Sequence, residues 1–259
     1  MPKALVAFAL KEEFSPWRRR HAFRSVWLAG HSVHRTTLRR TEVLVVLTGA
    51  GARQLSHFPA LINQVTPSLG IICGVAAGLR RKWRPGDLLA AECVSEPKGE
   101  AKFASDPALI DIALQCGAKP AAVLVSLPRI AGSAAEKCRW ATFADAADME
   151  SFTLMKQMHE HGVPSLALRA VVDPAEMAMP CDFEAALDAR GQVRIARLLS
   201  QLVRRPQALP SFLRFAWLSL RATSALARFL DAFFERLDSR QGVSRTPPQT
   251  TGNAERHQL

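Results

Sequence analysis

The sequence predicts an α/β protein: a layered fold around a largely parallel central sheet, extended by an amphipathic C-terminal helix. Three observations carry this. The 259 residues, 48% hydrophobic and 22% charged, suffice for one substantial globular domain. Short apolar runs alternate with helix-like stretches, the pattern of strands covered by helices. Beyond residue 187 the composition shifts to arginine, leucine and phenylalanine at helical spacing.

Taken in order, Ala4–Leu10 reads as the first strand. Its apolar run is too short for a secretory signal and is closed by Lys11-Glu12-Glu13, so a cytoplasmic protein is expected. Residues 14–40 hold seven arginines and no acid. They read as a solvated first helix and a hairpin, or as a face that docks phosphate or anionic lipid. Val43–Thr48, Leu69–Cys73, Asp87–Cys93, Ala122–Ser126 and Ser165–Val172 are the further strands, several of them nearly continuous apolar runs suited to burial on both faces. Helices are expected at 51–66, 106–116, 133–140 and 149–161. In 211–237, Arg214, Arg221 and Arg228 recur every seven residues beside a broad apolar face that includes Leu213, Leu218, Leu226, Phe229 and Phe233, and Trp217 suits an interface. Such a helix packs on the core, on a partner subunit, or in the plane of an anionic membrane. The expected division is 1–200 catalytic domain, 201–237 helical extension and 238–259 disordered polar tail.

Composition also excludes. Five cysteines without a CxxC pair argue against a disulfide framework and against structural zinc. The His31/His34 and His159/His161 pairs lack zinc-ligand partners, so no metal and no cofactor is expected. No stretch of about 18 uncharged apolar residues occurs, so no spanning helix is expected. The net charge of +11 favours anionic partners, yet tyrosine is absent and no nucleic-acid motif is present.

Two glycine-rich turns stand out. Thr48-Gly49-Ala50-Gly51 leads from a strand into a helix, where backbone N–H groups can meet an anion. Gly74-Val75-Ala76-Ala77-Gly78 follows the next strand and lets a ligand or another backbone come close. Among the carboxylates, Glu12 and Glu13 end the first strand, Asp148 and Glu150 flank Met149, and Asp173 ends the last. Parallel strands converge on a ligand crevice at their C-terminal ends, which can bring Glu13 and Asp173 together.

In this order AFALKEE, TGAG, GIICGVAAGLRRKWRPGDLL and ADMESFTLMKQMHEHGVPSLALRAVVDPAE resemble the nucleoside phosphorylase and nucleosidase superfamily that includes methylthioadenosine/S-adenosylhomocysteine nucleosidase, over roughly residues 3–180. The DMES and Val-Asp-Pro-Ala-Glu pieces, the Leu-Asp-Ala-Arg-Gly segment and LLSQLVRRPQALPSFLRF resemble its hopanoid-associated branch. The resemblance implies cleavage of the purine N-glycosidic bond of an adenine nucleoside, in that branch the lipid-linked adenosylhopane. Asp173 is then the acid that protonates the leaving base, and Glu13 orients the nucleophile. Met149 and Glu150 hold the ribose, Gly74, Val75, Ala76 and Val172 line the substrate, and Thr48, Gly49 and Gly51 lie on the phosphate or water side. Val75 and Val172 stand where relatives carry hydroxyls, so hydrolysis and phosphorolysis, with inorganic phosphate as co-substrate, both stay open. A three-layer αβα fold with a mixed, largely parallel central sheet and a homo-oligomer are implied too. The alternatives are a soluble methylthioadenosine/S-adenosylhomocysteine nucleosidase and a non-catalytic nucleoside- or nucleic-acid-binding protein.

Overall fold

The structure, a computed structural model, describes residues 1–243. Its first strand, β1 (Lys3–Phe8), lies mid-sheet between β4 (Thr41–Leu47) and β5 (Leu69–Gly78), parallel to both. On the far side of β5 lies β10 (Ser165–Asp173), also parallel. The expected largely parallel character holds for this β4-β1-β5-β10 half. Elsewhere β2 (Arg24–Leu28) and β3 (His31–Leu38) form the expected antiparallel hairpin against β4. Three strands, β6 (Leu88–Ser95), β8 (Lys119–Ser126) and β9 (Ala146–Asp148), pair parallel with one another but join β10 and β5 antiparallel. The β10–β5 pairing thereby closes a ring of five strands, β5-β10-β6-β8-β9. A short strand, β7 (Lys102–Ala104), extends β6.

Alternation along each strand feeds two cores. Ala4, Val6, Phe8, Val43, Val45, Leu168 and Val172 face one side, under α1 (Lys11–Arg18), α3 (Pro107–Gln115) and α7 (Leu209–Val243). Leu5, Ala7, Leu44, Val46, Ile72 and Val171 face the other, under α2 (Phe58–Val65) and α5 (Ser151–Glu160). This is the expected three-layer arrangement. The remaining helices are α4 (Ala134–Ala141) and α6 (Ile195–Arg204), the latter running across the expected boundary at residue 200.

Several sequence expectations are corrected. The helix expected from 51 begins only at Phe58, because Gly49, Gly51 and Ala52 take positive φ (71°, 68° and 55°) and break the chain into a short 3-10 turn. Gly74–Gly78 is no turn: β5 continues through it, its backbone paired with β10 and then β9. The C-terminal helix starts two residues before the expected position, at Leu209, and continues past Leu237 to Val243, so 238–243 is helical. The rest of the expected tail, 244–259, lies outside the described residues.

The apolar face of α7 is also divided. From Ala222 to Leu237 it is core, with Leu226, Leu230, Phe233 and Phe234 buried over the sheet. Each such side chain contributes about 1.5–3 kcal/mol of burial. Trp17 of α1 stacks on Phe234 (centroids 5.8 Å apart) and donates its indole N–H to Asp231 at 2.8 Å. Arg20 also pairs with Asp231 (2.6 Å), and Arg39 pairs with Glu235 (2.9 Å). Part of the arginine-rich segment thus docks on α7.

Candidate active site

The C-terminal ends of β1, β5 and β10 meet beside the β4–α2 turn and the residues entering α5. Glu13 lies in the first turn of α1 and is buried. Its Oε2 accepts the backbone N–H groups of Ala9 and Leu10 (3.1 and 3.0 Å), and Oε1 accepts that of Val75 (2.9 Å). These bonds tie the end of β1 to β5. Burial raises the Glu13 carboxyl above its ordinary value, against the pull of Arg169 and the three N–H donors.

Arg169 is the hub. It sits in mid-β10 with 1% exposure, opposite Gly74 in the β10–β5 register. Its guanidinium pairs with Asp148 at 2.5 Å, donates to the Ser151 hydroxyl at 2.8 Å and lies 3.9 Å from Glu150. Nη1 makes no hydrogen bond to the protein and points at Gly74, where a side-chain Cβ would lie 2.1 Å away. Only glycine leaves room for this approach. Burial opposes the charge of Arg169, yet Asp148, Glu150 and Glu13 together raise its pKa.

Glu150 stands before α5. Its Oε1 accepts the Gly51 N–H at 2.7 Å, which joins the two motifs across 99 residues of sequence. Burial first, and the neighbouring Asp148 second, push its carboxyl well above the ordinary range. Met149 is half-buried, its methyl 3.7 Å from where a Cβ on Gly51 would be. Asp148 itself is held by the Ser126 hydroxyl (2.5 Å) and the Ser151 N–H (3.1 Å). At the end of β10, opposite Ala77, lies Asp173, 5% exposed. Burial raises its pKa, while Lys137 of α4, 2.6 Å away and wholly buried, opposes that shift.

A buried cation, two flanking carboxylates with raised pKa and a further buried acid on the same strand form a set that can hold hydroxyls, steady positive charge and move a proton. A family model described as the phosphorylase superfamily matches residues 3–204. The chain belongs to the phosphorylase superfamily. It is an enzyme of that superfamily, and the fold agrees. A futalosine hydrolase mutant of Helicobacter pylori superposes with a TM-score of 0.69 at 18% identity, covering 91% of this chain and 99% of that one. A methylthioadenosine/S-adenosylhomocysteine nucleosidase of the same organism, complexed with an amino-pyrrolopyrimidine pyrrolidinol compound, gives 0.69 at 18% identity over 90% and 98%. The corresponding Campylobacter jejuni nucleosidase gives 0.68 at 16% over 91% and 99%. At these identities the likeness is one of fold. Among curated proteins, none matches the chain.

Of the residues singled out in the sequence, this superfamily fold brings together Glu13, Gly51, Gly74, Val75, Met149 and Glu150. Val75 contributes its backbone N–H, which a lost hydroxyl does not alter. Ala76 is buried, and the Val172 side chain packs in the α7-side core. Thr48 is wholly buried and its hydroxyl donates to the Phe8 carbonyl (3.3 Å). Gly49 accommodates the Arg190 carbonyl, which would stand 2.2 Å from a Cβ there. Sequence reasoning missed Arg169, Lys137, Ser126 and Ser151. Arg169 had a signal, a single charge inside the apolar run LALRAVV. Lys137 had none, since Glu136, Lys137 and Arg139 read as a solvated helix face. Among the described residues there is no group of three His, Cys, Asp or Glu that could hold a metal, and no helix long and apolar enough to cross a membrane.

Proposed function

We propose that this enzyme cleaves the N-glycosidic bond of an adenine nucleoside, and that its substrate is adenosylhopane, a nucleoside carried on a polycyclic lipid. The observation that carries the chemistry is the grouping of Glu13 from α1 and Glu150 before α5 around Arg169 in mid-β10, with Asp173 at the end of the same strand. Scission leaves positive charge on the ribose and negative charge on the base. Asp173 protonates the base as it departs, and burial favours its protonated form. Glu150, its pKa raised by burial, hydrogen-bonds the ribose hydroxyls of the oxocarbenium-like sugar. Glu13, fixed by three N–H groups, orients the attacking water or phosphate.

The lipid reading has its own support. Residues 189–230 contain eight arginines and no acid. Along α6, Ile195, Leu199 and Val203 are exposed at four-residue spacing, Val203 by 81%. Along the first half of α7, Leu209, Leu213, Trp217 and Leu220 are exposed, Trp217 by 53%. Apolar rows flanked by arginine suit an in-plane contact with an anionic bilayer, at the cytoplasmic face of the membrane. That face lies on α6 and residues 209–221, upstream of the part of α7 that is core.

The test is free adenine released from adenosylhopane in detergent, beside methylthioadenosine, with and without inorganic phosphate. Release from the lipid supports the proposal, and phosphate dependence identifies the nucleophile. Release from methylthioadenosine alone replaces it with a soluble nucleosidase. Release from neither overturns it.

A further inference from the structure

Lys137 is a buried cation whose place needs explaining. It lies on α4, a helix that otherwise turns charge outward: Glu136 pairs with Arg129 at 2.6 Å near the surface. Lys137 is 0% exposed. Removing an ammonium from water is expensive unless its donors are all met. Two are met by hydrogen bonds to the carbonyls of Pro174 (3.0 Å) and Met177 (2.7 Å), and the charge is balanced by an ion pair with Asp173 Oδ2 at 2.6 Å. Its three oxygen neighbours are thus two hydrogen-bonded carbonyls and one paired carboxyl oxygen. All of them belong to the end of β10 and the turn that follows it.

We propose that Lys137 is a positioning residue for the acid: it fixes one carboxyl oxygen of Asp173 and anchors the 174–177 turn, leaving the other oxygen to face the departing base. The proposal rests on Asp173 acting as the acid. The other charged groups near this end of the sheet are engaged elsewhere. Asp145 pairs with Arg80 and Lys82 (3.0 and 3.2 Å), and Glu176 pairs with Arg81 (3.3 Å). Arg169 pairs with Asp148. Lys137 is therefore the charge that acts on Asp173, drawing its pKa down against burial. The physical consequence is two-fold. The carboxyl is held in one rotamer, and it recovers its proton at a lower pH than burial alone would set.

The test uses full-length Lys137→Met, Lys137→Arg, Asp173→Asn and the double variant Lys137→Met/Asp173→Asn, assayed for adenine release across pH after unfolding curves confirm the fold. Lys137→Met is expected to lower kcat on the order of 10²-fold with little change in KM. It should also move the alkaline limb of the pH–rate profile to higher pH, because an unopposed buried carboxyl keeps its proton longer. Lys137→Arg should hold the limb near the wild-type position. The double variant should be no slower than Asp173→Asn alone, since Lys137 acts through that carboxyl. An unmoved limb in Lys137→Met, or a double variant whose losses multiply, overturns the proposal. If Lys137→Met does not fold, the limb in Lys137→Arg and the double variant decide. Wild-type release by Asp173→Asn overturns the acid assignment, and this proposal with it. A collapsed Asp173→Asn beside an unaltered Lys137→Met overturns this proposal alone.

Discussion

Arg169 occupies the space in which a side chain at Gly74 would stand: a Cβ there would come within 2.1 Å of the guanidinium and 2.9 Å of the Glu13 carboxylate. The glycine in mid-strand lets a cation from β10 and a carboxylate from α1 both come close to the backbone of β5. Gly74→Ala is therefore expected to displace Arg169, lowering stability by about 1–3 kcal/mol and abolishing most nucleoside turnover. Urea unfolding and adenine release read the two effects, and a variant with wild-type values in both would show that the close approach is dispensable.

Asp173→Asn keeps the shape of the acid and removes its proton. Adenine release should fall by about 10²–10⁴-fold, with near-UV circular dichroism unchanged. Unaltered release would sink the acid assignment.

Glu150 carries a pH signature. Its folded pKa is raised above the ordinary 4.5 by burial and by Asp148. The folded chain therefore keeps a proton that the unfolded chain releases, and this contribution to stability, full below 4.5, is lost as pH rises through the folded pKa. Glu150→Gln removes that loss. The melting temperature of the variant relative to wild type should climb between about pH 5 and pH 9, while nucleoside turnover collapses. A pH-independent difference in melting temperature would contradict the burial argument.

The α6–α7 surface predicts membrane behaviour separately from chemistry. Replacing Val203 and Trp217 together by Glu should abolish co-sedimentation with phosphatidylglycerol-containing vesicles and slow turnover of the lipid nucleoside. Turnover of a water-soluble adenine nucleoside, where there is any, should be unchanged. Equal vesicle binding by the variant would remove the support this surface gives to a lipid substrate.

Phe234 tests the core half of α7. Truncation to Ala opens a cavity under the Trp17 ring and should cost about 3–5 kcal/mol. Chemical denaturation measures it, and a loss below about 1 kcal/mol would mean that α7 is not part of the cooperative core.

The strands Ala4–Phe8 and Ser165–Val172 were visible because continuous burial leaves a continuous apolar run. The three-residue strands β7 and β9 were not, since periodicity needs length. In 211–237 the sequence showed a broad apolar face, but periodicity does not say which part is covered. Only packing against β10, β5 and α1 divided that helix into core and exposed halves.

The same division runs through the site. Glu13, Glu150 and Asp173 were singled out in the sequence, because residue types near strand ends, and a resemblance carried by local motifs, survive in one dimension. Arg169 and Lys137 were not. Their significance lies in where the chain buries their charge, and burial is a property of neighbours that the sequence places far away: 156 residues separate Glu13 from Arg169, and 36 separate Lys137 from Asp173. The sequence by itself determined the strands, the order of the motifs and the carboxylates. The tertiary structure decided which charges meet, because the desolvation that shifts a pKa arises only when distant elements exclude water together.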